Sequence, residues 1–178
     1  MKNQLTLKLR ILITTVVTFL VWGHIAWDYA HEGIPVHYIL HSKDMPGIPN
    51  WWGAIVLPFF TYFLLFRMSK RLKETENKES LKLIGLRFLG GILFAVSISV
   101  SFMNGIDITD YIMGLIFLLA FFFPLYKSEY LLGWVLGSSF SFGAIIPIGF
   151  GSILALLFFI FYKLSMFIKG LVKPSNTV

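Results

Sequence analysis

The stretch "HIAWDYAHEGIPVHYILHSKD", residues 24–44, holds all four histidines of the chain together with Asp28, Glu32 and Asp44. Two runs within it share one spacing: His24, Asp28 and His31 stand at i, i+4 and i+7, and so do His37, His41 and Asp44. On a helix these positions fall within about 60° of one another around the axis. Imidazoles so placed can hold one divalent ion, and carboxylates complete the shell or orient the rings.

The chain has no cysteine, so a thiolate metal site and a cysteine nucleophile are excluded. An N/O donor set suits a divalent transition metal such as Zn or Fe and disfavours Cu(I). The pattern therefore predicts His24, His31, His37 and His41 as metal ligands, with Asp28 and Asp44 as the catalytic carboxylates. Glu32 falls off both faces. The sequence contains no HExxH, which removes the usual zinc-protease motif. A serine nucleophile is disfavoured as well, because Ser97, Ser99 and Ser101 have no histidine nearby in sequence.

These side chains need elements to position them. Gly33 is suited to end a first helix, and Pro35 to open a second short one carrying His37, His41 and Asp44. Asp28 would then lie close to the negative end of the first helix dipole, where a carboxylate is costly without a cation. In "DMPGIPNWWG", Pro46, Gly47 and Pro49 oppose helix, and Asn50 is a good cap for the next one.

The surroundings are apolar. Of 178 residues, 57% are hydrophobic and only 13% charged, against roughly 25% in soluble domains. With a mean hydropathy of +0.78, a soluble fold would expose large greasy patches. The fold class predicted is all-α, a polytopic transmembrane bundle embedded in the lipid bilayer. Spans of about 20 residues are placed at 9–30, 51–68, 83–103, 110–126, 130–146 and 149–169. The long apolar run after Tyr130 must turn somewhere among Gly143, Pro147, Gly149 and Gly151. Five spans with a re-entrant segment is the competing count.

Orientation follows from the basic residues. With the N-terminus in the cytoplasm, fourteen of the fifteen Lys and Arg fall inside and only Lys43 falls outside. Both termini and the basic loop 69–82 are then cytoplasmic. The loop 31–50, with its histidines, faces outward beside Trp22, Trp27, Trp51 and Trp52. This asymmetry explains the net charge of +6 without nucleic acid, and fits a bacterial inner (cytoplasmic) membrane. The N-terminal apolar run exceeds the ~7–15 residues of a signal h-region and reads as a retained span.

Within the spans, Pro58 frees the carbonyl of Ala54, which Thr61 or a neighbour would have to satisfy. Gly91, Ala95 and Ser99 form one small-residue stripe, and Gly133, Gly137 and Ser141 another; both suit close helix packing. Asp107 or Thr109 can cap the fourth helix, with Asp110 in its first turn.

The function expected is a metal-dependent membrane enzyme, a hydrolase acting on a lipid or envelope substrate. Two other classes compete with it. One is a small-solute transporter or substrate-capturing membrane subunit, which would retain a solute. The other is a non-enzymatic partner that docks other membrane helices or forms a homo-oligomer, and would co-purify with subunits.

Overall fold

The computed structural model describes residues 5–31, 33–39, 42–74, 81–106 and 108–172. Six helices follow one another: α1 Leu7–His31, α2 Trp52–Glu74, α3 Leu81–Met103, α4 Thr109–Ala120, α5 Ser128–Phe142 and α6 Ile145–Val172. A two-stranded ribbon, β1 Val36–Tyr38 and β2 Gly47–Pro49, joins α1 to α2. Helices α1, α2, α3 and α6 are long and apolar enough to cross a membrane. α4 and α5, with 12 and 15 residues, are about 18 and 22 Å long, short of the ~30 Å hydrocarbon core. Large apolar side chains such as Phe19, Phe59, Leu93 and Phe167 are exposed around the bundle. That is the surface of an integral membrane protein, since water would not tolerate it.

α1 begins where the Thr6 hydroxyl accepts the Leu9 N–H at 3.3 Å, a side-chain cap of the first turn. It ends at Gly33, whose φ of +87° lets its N–H reach back to the Asp28 carbonyl at 2.8 Å. α2 buries Leu57, Thr61, Leu64, Leu65, Met68 and Leu72, the stripe expected of a helix with one packed face.

The two small-residue stripes meet. A Cβ on Gly91 would overlap the Tyr130 carbonyl, and one on Gly133 the Phe88 carbonyl. Gly137 sits where a Cβ would lie 2.7 Å from that of Ala95. The α3 and α5 backbones thus touch because neither carries a side chain there.

Contacts sort the helix ends into two groups. At one end, which carries the histidines, Phe102 and Phe142 of α3 and α5 pack edge to face at 5.1 Å, and Gly53 of α2 abuts Ala144 before α6. The opposite end holds Arg71, Arg87 and Glu129 on α2, α3 and α5.

The structure departs from the sequence expectations in three places. Residues 36–38 form a strand, not the second short helix expected from Pro35. Val36 pairs with Pro49, His37 with Ile48 and Tyr38 with Gly47, antiparallel. A β-branched and aromatic run after proline favours extended backbone. Gly47 also leaves room for the side chains of Val36 and Tyr38, which a Cβ there would meet at 2.7 and 3.0 Å. Second, the turn near the C-terminus falls at Gly143, one of the four expected positions, but the helices beside it run 128–142 and 145–172 where 130–146 and 149–169 were expected. α5 stops at Gly143, which has φ +69°, and α6 starts at Ile145. Pro147 falls in the first turn of α6, where its missing N–H costs nothing. Third, α4 has Ile108 at its N-cap with no side-chain cap; Asp107 lies outside the described residues.

Candidate functional site

At the histidine end, the last turns of α1 bring His24 and Asp28 together. His24 Nε2 lies 3.7 Å from Asp28 Oδ2, with the two side chains 26% and 15% exposed. Asn50, 7% exposed, donates from Nδ2 to the same carboxylate oxygen at 3.5 Å. Its backbone N–H bonds the Pro35 carbonyl at 2.9 Å, and its own carbonyl accepts the Gly53 N–H at 2.9 Å. Asn50 therefore ties the ribbon, the start of α2 and the Asp28 side chain into one corner.

Both contacts to Asp28 are long for charge-assisted hydrogen bonds, which run near 2.7–2.9 Å. A carboxylate this enclosed, close to the negative end of α1, is poorly compensated by them. The electrostatics favour a cation, or a strong hydrogen-bond donor, beside Asp28 and His24.

Behind the pair lies a cavity of about 210 Å³ between α1, α2 and α5. Val17, Leu20, Leu57 and Leu136 make most of its wall, while His24, Asn50 and Ser139 supply polar groups. The His24 ring stacks on Phe140 at 4.7 Å, which fixes its orientation at the rim. Ser139 bonds the Leu136 carbonyl at 3.2 Å. No histidine stands near Ser139 in sequence, and the fold brings it to the same cavity as His24 by way of α5.

The other expected site residues are placed as follows. His31 is exposed, stacks on Trp27 at 3.9 Å and donates from Nδ1 to the Trp27 carbonyl at 2.9 Å. His37, on β1, is half-buried against Gly143, with Asn50 beside it. Asp44 is exposed in the loop of the ribbon, where its N–H reaches the Ser42 hydroxyl at 3.4 Å. His41 and Glu32 lie outside the described residues. Among the described residues no three His, Asp or Glu side chains stand close enough to share a metal ion. The pairing of His24 with Asp28 is present; the two helical faces expected to converge are replaced by one helix and one strand.

A second polar centre, at the opposite end, was not anticipated. Glu129, in the first turn of α5, is fully buried. Arg71 Nη2 grips both its oxygens at 2.9 and 2.7 Å, and Arg87 Nη1 reaches one at 3.0 Å. One carboxylate thus locks α2, α3 and α5 together, helped by the positive end of the α5 dipole. Its signal in the sequence was that no other acid follows Asp110, so Glu129 stands alone in an apolar run.

The chain matches no protein-family model, and neither a curated protein nor a solved structure is significantly similar to it.

Proposed function

We propose that this is a six-span protein of a bacterial cytoplasmic membrane, with both termini inside. Its outward end binds a cation at Asp28 and His24, and acts there on the polar part of a lipid or envelope molecule. The observation that carries this reading is the enclosed, weakly compensated Asp28 carboxylate beside His24 at the rim of an apolar cavity. A divalent metal such as Zn or Fe is the cation that suits the N/O donors. It would lower the pKa of a bound water and supply a nucleophile for hydrolysis. The 210 Å³ cavity would take an apolar part of the substrate next to that centre. The segregation of Lys and Arg supports the orientation.

X-ray absorption at the zinc edge on zinc-loaded protein tests the reading. Light N/O ligation with an imidazole signature, lost in His24→Gln, is the expected result. Ligation unchanged by that substitution contradicts it.

A second reading is capture of a small amine-bearing solute without metal. It is favoured by the fact that, among the described residues, no third His, Asp or Glu side chain joins His24 and Asp28 at the rim. In that case an ammonium would sit on Asp28, and zinc would not compete with it.

A further inference from the structure

Three buried atoms near the start of α1 have no hydrogen-bond partner among the described residues: Arg10 Nε, Arg10 Nη1 and Thr14 Oγ1. Arg10 and Thr14 stand at i and i+4, so they share one face of the helix. That face meets α2 at a seam, where the Arg10 guanidinium lies 5.6 Å from the Tyr62 ring and 5.5 Å from Phe66. The rings attract the cation, but they offer no oxygen to its N–H groups. The first turn of α1 carries no acid, and among the described residues no carboxylate pairs with Arg10. Thr18, one turn on, gives its hydroxyl to the Thr14 carbonyl at 2.8 Å. The Thr14 hydroxyl makes no such bond, although that is the usual recourse on a helix.

Unpaired donors of this kind favour a ligand rich in acceptor oxygens, and the cation favours one that is anionic. The seam is open to the bilayer. Arg10 and Thr14 are half-buried, while Tyr62, Phe66 and Phe59 on the adjoining face of α2 are exposed. A change of rotamer turns the donors to that open edge. Arg10 lies nearer the helix end, and Thr14 is about 6 Å deeper along the axis. A glycerophospholipid presents its acceptors in the same order, the phosphate outermost and the ester carbonyls below it. A free phosphate has all its oxygens at one depth and cannot serve both residues.

We propose that Arg10 and Thr14 hold one glycerophospholipid at the edge of the α1–α2 seam. The Arg10 guanidinium takes the phosphate and the Thr14 hydroxyl donates to an ester carbonyl. An acyl chain then runs along Tyr62 and Phe59 toward the bilayer midplane.

The test titrates the delipidated full chain in detergent with phosphatidylglycerol and counts bound lipid by native mass spectrometry. One lipid should be retained per chain. Phosphatidylglycerol with ether links in place of both esters should bind the unaltered protein about fivefold more weakly, the scale of one lost hydrogen bond. Thr14→Val should weaken the ester lipid by about the same factor and leave the ether lipid unaffected. Arg10→Gln should weaken both lipids about tenfold or more. Thr15→Val, on the exposed neighbouring position, should match the unaltered protein. Glycerol phosphate in large excess should not displace the lipid. No retained lipid, equal binding of ester and ether lipids to the unaltered protein, unchanged binding in Arg10→Gln, or displacement by glycerol phosphate would each overturn the proposal.

Discussion

Trp22 of α1 donates its indole N–H to the Ala54 carbonyl of α2 at 3.0 Å. That carbonyl is the one Pro58, four residues on, cannot serve because proline has no N–H. A kink-prone position within α2 is thereby repaired from the neighbouring helix. Of the donors expected for it, Thr61 or a neighbour, Thr61 has its hydroxyl buried with no hydrogen-bond partner among the described residues.

Trp22→Phe keeps the aromatic ring and removes the donor. It should destabilise the protein by about 1–3 kcal/mol, the cost of an orphaned carbonyl. Pro58→Ala restores the missing N–H, so adding it to Trp22→Phe should recover part of the loss. Thermal unfolding in detergent of the two single variants and the double variant measures the coupling. Strictly additive effects would show that the indole does not serve this carbonyl.

Glu129→Ala leaves Arg71 and Arg87 facing each other without their carboxylate. Breaking a buried ionic triad costs about 3–5 kcal/mol, enough to lower detergent-resistant folding sharply. The exposed pair Lys70–Glu74, at 3.8 Å, is the control: Glu74→Ala should leave the melting temperature nearly unchanged. Equal effects from the two substitutions would contradict the role given to Glu129.

Gly133→Leu and Gly137→Leu should both disrupt packing, because α3 backbone or Ala95 occupies the space a side chain needs. Overpacking of this kind costs about 1–3 kcal/mol or more. Gly149, with nothing near its missing Cβ, should accept Leu with little loss. Melting curves of the three variants decide the matter, and no difference between Gly133→Leu and Gly149→Leu would mean the stripes do not pack.

These relationships differ in how far they could be read before the structure was known. Gly33, Pro58 and the two glycine stripes were legible because each acts through local backbone geometry or through a helical repeat. Tertiary partners were not. Pro58 announces an orphan carbonyl but says nothing of the helix that supplies Trp22. Arg71 and Arg87 read as topology signals because their acid, Glu129, comes from a helix more than forty residues away in sequence. The i, i+4, i+7 spacing of His37, His41 and Asp44 suggested a helix face, yet strand pairing with Gly47–Pro49 decided the backbone from His37 to Tyr38. Periodicity within one short segment does not register a partner segment ten residues away.

The proposed orientation is open to direct measurement. Reporter fusions at Glu76 and at the C-terminus should be cytoplasmic, and one at Gly47 outside. A cytoplasmic signal at Gly47 would move His24 and Asp28 to the inner face and remove an envelope substrate from reach.

Zinc titration of purified protein by calorimetry addresses the Asp28–His24 centre most directly. The unaltered chain should bind one Zn²⁺ per molecule. Asp28→Asn, nearly the same size but neutral, should weaken binding by at least about tenfold, or ~1.4 kcal/mol, at an unchanged melting temperature. Zinc binding that is absent from the unaltered protein, or equal in Asp28→Asn, would contradict a cation site at this carboxylate.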